Sequence, residues 1–334
     1  MPKFDVIDNA LDFLHSAGEK LVAFEAGGQA REMKYALLHL AAGTALLLKQ
    51  SLANEHWALV FKDVSKASVT AYETGDFVSP GLDECIERVR NLCGIGISPS
   101  HEKSLVALRK LRNKIEHFRF EVSREEGLSV AAKAWSFALD FVQDNLARDF
   151  GQGQSKSWEA LRALMLKVEH FVAQRSNEIA VSVKAKEGAG HTVVDCPLCL
   201  NRALFLGYDE RGCLFCRFDG DVDQVFDAWM SSFYGYEWTD PKERMISDPA
   251  EHCPSCGGQY YVRMPGEGGA TPPDPAFVCF RCGYGEEPTV ECTECGSDFT
   301  PDDWEGYPWV CEKCRAEQEA GHEEPPGSAD SASS

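Results

Sequence analysis

Basic side chains are scarce in the second part of the chain, and this scarcity limits what that part can bind. The 334-residue sequence has a formal net charge of −20, and residues 187–334 hold 29 acidic side chains against 9 basic ones. Residues 1–186 hold 24 of each sign. Because a broad grip on a phosphate backbone depends on Lys and Arg, the second part is unsuited to nucleic-acid binding. The first part can still bind nucleic acid through a local basic patch.

Long apolar segments are also absent. The longest apolar run, Ala36 to Leu48, contains His39 and falls short of the roughly 18 residues that a membrane-spanning helix needs. The start of the chain lacks the charged segment, apolar core and cleavage site of a secretory signal. We therefore expect a soluble, cytoplasmic protein with no membrane partner. The chain also has no phosphate loop, nucleophile elbow or helix of paired carboxylates.

The chain has 14 cysteines, although disulfides are rare in the cytoplasm, where we expect this protein to be. Thiols stay reduced there, so we interpret most of these cysteines as metal ligands. Twelve of them form six CxxC pairs, and the gaps between partner pairs are 13, 22 and 15 residues. Two such pairs can direct four thiolates at one ion. The predicted sets are Cys196, Cys199, Cys213 and Cys216; Cys253, Cys256, Cys279 and Cys282; and Cys292, Cys295, Cys311 and Cys314.

Each set predicts a zinc ribbon, with about three Zn²⁺ ions per chain. Four thiolates leave no open coordination position, so these ions are expected to be structural and to supply folding energy that short segments lack. A different sharing of the middle pairs is possible but less economical. Redox chemistry is the other interpretation, and no thioredoxin-like pattern of strands and helices surrounds the pairs. Cys85 and Cys93 lie outside this array and are expected to be small packing residues.

The periodicity of apolar residues predicts helices through residue 185 and no strong strand before residue 190. The predicted fold class is an all-α helical bundle followed by small β-rich zinc-ribbon modules. Specific expectations are a helix opened by Ser79-Pro80 and ending at Leu92, a motif helix capped by Ser100, a helix over Val130–Phe150, and one long helix from Trp158 toward Ala185. The predicted domains are 1–150 (helical domain), 151–186 (long helix or connector), 190–220, 250–286 and 288–316 (ribbons), and 317–334 (disordered acidic tail).

One helix carries polar residues in an unusual arrangement. In the stretch Ala107 to Val122, an apolar stripe about 80° wide is expected to face the core. Asn113 and His117 are four residues apart and lie roughly opposite this stripe, while Arg112 lies at its border. A solvated helix face with no function would look the same. The predicted core stripe is Leu108, Leu111, Ile115 and Phe118.

Arg112-Asn113 followed by His117, near the end of a helix in an all-helical region, resembles the motif of the HEPN superfamily. That motif is an Arg followed after four to six residues by a His, often with a polar residue after the Arg. The resemblance covers about residues 1–150. It implies a symmetric homodimer in which two copies of Arg112, Asn113 and His117 line one cleft that takes RNA.

The resemblance further implies metal-independent RNA cleavage, in which the ribose 2′-OH attacks the adjacent phosphorus and leaves a cyclic phosphate. His117 would act as general base or acid, Arg112 would hold the phosphate, and Asn113 would orient His117 or the phosphate. Some HEPN toxins carry a Tyr two residues after the His, where a partner nucleotidyltransferase modifies them. This chain has Arg119 there, which argues against such control. The basic residues around the motif are Lys103, Arg109, Lys110, Lys114, Arg119 and Arg124.

Two classes of function remain open at this point. The first is a HEPN endoribonuclease, for example a toxin or phage-defence effector, with ribbons that regulate it or bind a partner. The second is a non-catalytic HEPN-like protein that binds nucleotide or RNA, or a scaffold that only dimerises. Three aromatic residues between acidic ones, Trp304, Tyr307 and Trp309, suggest a protein partner at the ribbons, although they could equally cover a small ribbon.

Overall fold

The computed structural model describes residues 4–236, 250–265, 277–285, 290–299 and 310–320. The chain is mostly helical, with small sheets toward its C-terminus. It divides into two compact units, one formed by Met1–Phe205 with Glu210–Tyr236, the other by Leu206–Asp209 with Glu237–Ser334. The division therefore falls after the first thiol cluster, whereas the charge distribution places a boundary before it.

Two long helices form the base of the helical unit. Helix α1 (Val6–Glu25) begins where the side chain of Asp5 accepts a hydrogen bond from the backbone N–H of Asp8. Helix α2 (Ala30–Glu55) packs along α1 over most of its length. Their backbones approach closely at Gly43, where an added Cβ would lie 2.8 Å from Leu14 Cγ. A larger residue there would force the two helices apart.

Helix α2 is long and apolar enough to cross a membrane by length and composition alone. Its apolar side chains are instead covered by neighbouring helices, chiefly α1. The residues buried in this way include Met33, Ala36, Leu37, Leu40, Leu47, Leu48 and Leu52. Half of its most apolar 18-residue window is buried.

The rest of the helical unit is built around α6. The helices are α3 (Val69–Thr74), α4 (Leu82–Leu92), α5 (Pro99–His117), α6 (Arg124–Asn145), α7 (Gln152–Met165) and α8 (Glu169–Gly188). Helix α6 contacts α2, α5 and α8. It buries aromatic side chains on more than one face, including Trp135, Phe137 and Phe141. A helix surrounded in this way forms the centre of the core.

Several predicted helix limits are wrong, because local hydrogen bonds decide where a helix starts and ends. Helix α4 begins at Leu82 after Gly81, not at Ser79-Pro80. The cap of α5 is Ser98, whose hydroxyl accepts from the backbone N–H of His101, and Pro99 fills the first turn. Helix α6 covers Arg124–Asn145, and the long helix predicted from Trp158 is interrupted between Met165 and Glu169.

The region predicted as a connector, residues 151–186, is part of the helical core. Its two helices bury Trp158, Leu161 and Phe171. Helix α7 packs on α1, and α8 packs on α6. The prediction of helix throughout, with no strand before residue 190, agrees with the structure, in which the first strand begins at Thr192.

Short strands and two helices make up the remainder. Strands β1 (Thr192–Asp195), β2 (Arg202–Leu206) and β3 (Arg211–Cys213) form one sheet; β4 (Glu251–His252), β5 (Gln259–Arg263) and β6 (Phe277–Cys279) form an antiparallel sheet; β7 (Val290–Glu291) and β8 (Asp298–Phe299) form an antiparallel pair. Helix α9 (Val222–Tyr234) was not predicted, and α10 (Glu312–Ala320) extends into the predicted tail. The remaining tail and the aromatic residues Trp304, Tyr307 and Trp309 lie outside the described residues.

Candidate functional site

The twelve paired cysteines form the three predicted clusters. In each, the four Sγ atoms lie within 4.8 Å of one another, and the members are those expected from sequential pairing. None is in a disulfide. In the first cluster, Sγ of Cys196 lies 3.6 Å from Sγ of Cys216, and Sγ of Cys199 lies 3.7 Å from Sγ of Cys213. The three clusters are therefore compatible with about three structural zinc ions.

All six CxxC pairs share one tight turn. The residue after the second cysteine donates its backbone N–H to the carbonyl of the first, at 2.8 to 3.0 Å. In five pairs the first cysteine also donates its own N–H to the carbonyl five residues later, at 2.7 to 3.0 Å. The sixth pair, Cys311 and Cys314, leads into α10 instead. In the five pairs that have them, the two hydrogen bonds orient both thiols toward the same point.

In the five pairs with both hydrogen bonds, the residue after the second cysteine has a left-handed backbone. Gly257, Gly283 and Gly296 occupy this position with φ of 68°, 76° and 72°. In the first cluster the same position holds Leu200, with φ of 57°, and Arg217, with φ of 61°. A side chain raises the energy of a left-handed backbone. Other interactions must therefore offset this strain at Leu200 and Arg217.

Backbone amides also approach thiol sulfurs in these turns. The N–H of Cys216 lies 3.4 Å from Sγ of Cys213, and that of Cys311 lies 3.3 Å from Sγ of Cys292. The amide of Cys311 is the main reason that the pKa of Cys292 is lowered to about 6. A thiolate is the form that binds a metal, so this arrangement fits a four-sulfur Zn²⁺ site with no open position.

The first cluster is joined to the helical unit by a buried arginine. Arg175, on α8, has a side chain only 5% exposed. Its Nη1 and Nη2 donate to the carboxylate of Asp140, on α6, at 2.8 and 2.6 Å. Its Nε and Nη2 donate to the carbonyls of Phe215 and Leu214, at 3.2 and 3.1 Å. These two carbonyls lie between the third and fourth ligands of the cluster.

Apolar and charged contacts extend the same junction. The ring of Phe215 packs edge-on against Phe171, with centroids 6.1 Å apart, and Phe171 packs in the same way on Trp135 at 5.9 Å. Arg217 pairs with Asp144 and reaches Asp140 at 3.7 Å. These ion pairs stabilise Arg217 in its left-handed backbone conformation. The first cluster is thus part of the helical core and not an appendage.

The three candidate catalytic residues lie in the last two turns of α5. Arg112 Nε is 2.7 Å from Oε2 of Glu116, and His117 Nε2 is 3.9 Å from the same oxygen. Arg112 Nη1 lies 3.5 Å from Oδ1 of Asn113. The side chains of Arg112 and His117 are 47% and 76% exposed. Glu116 therefore belongs to the site, and its i,i+4 spacing from Arg112 was the available sequence signal.

One member of the predicted core stripe is wrong. Leu108, Leu111 and Ile115 are buried, whereas Phe118 is 86% exposed. The helix ends at His117, and Phe118 has φ of −153° and ψ of −149°. Once the backbone leaves the helix, the 100° periodicity no longer sets the direction of a side chain. Phe118 therefore stands in solvent directly beside His117.

Arg112 and His117 lie on different sides of α5. A cleft of about 960 Å³ is lined by Arg112, Asn113 and Glu116 together with Arg109. His117 is not among its lining residues. Both side chains nevertheless approach the same carboxylate oxygen of Glu116.

Comparisons with protein-family models, curated proteins and solved structures find no significant match to this chain. Its function must therefore be inferred from the geometry of its own residues.

Proposed function

We propose that this protein is a metal-independent endoribonuclease of the HEPN type that acts as a homodimer. The observation that supports it is the oxygen of Glu116 between the guanidinium of Arg112 and the imidazole of His117, 2.7 and 3.9 Å away. This anionic oxygen pairs with the arginine and lies near the histidine, and both side chains are exposed, so a phosphate oxygen of RNA would find both groups within reach at the same place. The RNA phosphate would replace the carboxylate there.

The proposed reaction needs no metal. His117 of one protomer takes the proton of a ribose 2′-OH, and the 2′-oxygen attacks the adjacent phosphorus. The bond from phosphorus to the 5′-oxygen breaks, and the leaving oxygen takes a proton from the partner's His117. The products are a 2′,3′-cyclic phosphate and a 5′-OH. Arg112 balances the charge that grows on the phosphate oxygens, and Asn113 holds Arg112 in position.

Structural zinc ions at the thiol clusters complete the proposal. Cys₄ sites supply no open coordination position, so the metal would hold short segments together and take no part in cleavage. The first site would stabilise the helical unit that carries the motif. The other two would serve regulation or binding of a partner protein, as in a toxin or phage-defence effector in the cytoplasm.

A non-catalytic role is the second candidate, as a HEPN-like binding protein or scaffold. It is favoured by the existing ion pair between Arg112 and Glu116, which satisfies the guanidinium without RNA. The two candidates differ in whether His117 performs proton transfer.

Cleavage of a labelled single-stranded RNA by the full-length protein tests the proposal. Arg112→Ala and His117→Ala should each lower the rate by about 10³, equivalent to about 4 kcal/mol of transition-state stabilisation. Arg119→Ala is the matched control, because Arg119 is two residues away and 76% exposed, and it should cleave like the wild type. DNA, and RNA with 2′-O-methyl at the cleaved nucleotide, should resist. Full cleavage by His117→Ala would refute the enzymatic role.

The homodimer is tested separately by light scattering of the full chain. A monomer at micromolar concentration that still cleaves RNA would contradict the shared site. Growth of cells that express the wild type, compared with cells that express His117→Ala, tests the toxin role. Equal growth of the two would count against it.

A further inference from the structure

The structure separates the cations around the motif into two groups. All four arginines between His101 and Glu125 are already paired. Arg109 pairs with Asp83 at 3.0 Å, Arg112 with Glu116 at 2.7 Å and Arg119 with Glu121 at 3.3 Å, while Arg124 donates to the carbonyls of Phe24 and Glu25 at 3.2 and 3.3 Å. These four positive charges are therefore engaged within the protein.

The three lysines of the same segment differ from these arginines in having no partner for their charge among the described residues. Lys103, Lys110 and Lys114 are exposed, and none of their ammonium groups has an ion-pair or hydrogen-bond partner among the described residues. On α5 they lie within a sector about 40° wide, and His117 extends it to about 60°. The stripe points away from the buried Leu108. At a rise of about 1.5 Å per residue it is about 16 Å long.

Shallow apolar depressions lie beside these lysines. One of about 460 Å³ includes Lys103, Val106 and Lys110 in its lining, and one of about 470 Å³ includes Lys114 and Phe118. The second ends at the exposed ring of Phe118, next to His117. Cations that follow a backbone and exposed aromatic rings on which bases stack are the two features of single-strand binding surfaces.

We infer that this face of α5 is the track of a single-stranded RNA. The sugar–phosphate backbone lies along Lys103, Lys110 and Lys114 toward His117, and a base stacks on Phe118. This inference rests on the proposed function for its ligand class. In the proposed homodimer two such stripes flank one cleft, and phosphates would neutralise cations that otherwise repel each other.

Salt dependence of binding measures the track directly. The full-length protein is titrated into a fluorescent single-stranded 2′-O-methyl RNA, which cannot be cleaved, from about 50 mM to about 300 mM salt. The magnitude of the negative slope of log affinity against log salt falls by about 0.7 for each RNA phosphate that the protein no longer neutralises. The triple variant Lys103→Gln, Lys110→Gln, Lys114→Gln should lower it by about 2. Phe118→Ala should weaken binding about tenfold, and this weakening should change little with salt.

The control variant is Lys156→Gln, Lys167→Gln, Lys184→Gln, which removes the same charge from exposed lysines on or beside α7 and α8. It should retain the wild-type slope. Equal slopes for the two triple variants, or no binding by the wild type, would overturn the track. So would a triple variant of the stripe that changes oligomeric state instead of slope, since the face would then be an interface between copies.

The outcomes separate this inference from the proposed function. Loss of cleavage in His117→Ala, together with an unchanged slope in the stripe variant, would keep the enzyme and refute the track. A reduced slope in the stripe variant, together with no cleavage by any form, would keep the track and leave an RNA-binding protein without catalysis.

Discussion

The guanidinium of Arg175 and the carboxylate of Asp140 make two hydrogen bonds inside the helical unit, at 2.8 and 2.6 Å. The same guanidinium holds two carbonyls of the first thiol cluster. Removal of Arg175 would leave Asp140 without its main partner and both carbonyls without a donor.

We therefore predict that Arg175→Met lowers the free energy of unfolding by about 3 kcal/mol, as expected when one partner of a buried pair is removed. The control is Arg90→Met. Arg90 pairs with Glu102 at 2.6 Å, but the two side chains are 45% and 41% exposed, so the change should stay below about 1 kcal/mol. Urea unfolding followed by circular dichroism measures both, and equal decreases would contradict a special role for Arg175.

Metal analysis of the purified full chain should give about three zinc ions. Cys213→Ser and Cys256→Ser should each remove about one. Cys213→Ser should also lower the melting temperature of the helices, because its cluster packs into the helical unit. Cys256 belongs to the other compact unit, so its replacement should affect helix melting less. About one zinc or none in the wild type would contradict the three-site interpretation.

The left-handed residues of the first cluster predict opposite responses to glycine. Leu200 has φ of 57° and is 67% exposed, so Leu200→Gly should relieve strain and stabilise the zinc-loaded protein by about 0.5–1 kcal/mol. Arg217→Gly relieves similar strain but removes the ion pair with Asp144, and should give no gain or a loss. Thermal unfolding compares them. Stabilisation by Arg217→Gly as large as that by Leu200→Gly would show that the ion pair contributes nothing.

The acid stability of the helical unit should depend on His101. Burial lowers its pKa from 6.5, and the nearby carboxylate of Asp140 only partly opposes this shift. Below about pH 6.5 the unfolded chain therefore binds a proton that the folded chain does not, and stability is lost as the pH falls.

His101→Gln removes this difference. Between about pH 7.5 and about pH 5.5 the variant should lose less free energy of unfolding than the wild type, by up to about 1 kcal/mol. Protonation of the thiols affects both proteins alike and cancels in the comparison. An identical pH dependence would show that His101 does not contribute.

Features fixed by short-range spacing could be predicted from the sequence. The CxxC turns close through hydrogen bonds within five residues, and sequential pairing of neighbouring turns gives the membership of all three clusters. Helix α9 was also readable, since Asp221 and Gln224 cap each other before a run that buries Phe226 and Trp229. The prediction after residue 190 consisted of ribbon modules and a disordered tail, so it contained no helix there.

Features set by distant contacts could not be predicted in the same way. Arg175 looks like any helical arginine until α6 and the first cluster meet it, 35 to 40 residues away along the chain. Phe118 fits the core periodicity in sequence, but the end of the helix one residue earlier changes its direction. Of the candidate catalytic residues, the sequence indicated Arg112, Asn113 and His117, and only the structure showed that Glu116 lies between two of them.

The carbonyls that Arg175 binds come from Leu214 and Phe215, so α8 gains its last buried partners from a segment synthesised after it. On the ribosome, the helices before residue 188 emerge with Arg175 bonded to Asp140 but without its two carbonyl partners, and with Phe171 not yet covered by Phe215. Their core is complete only when the second cysteine pair of the first cluster has been synthesised and the cluster has formed. If zinc holds the first cluster together, the yield of mature helical unit depends on how much of the metal is available during translation. A cell short of zinc would then accumulate chains that aggregate or are degraded, whatever the activity of those that mature.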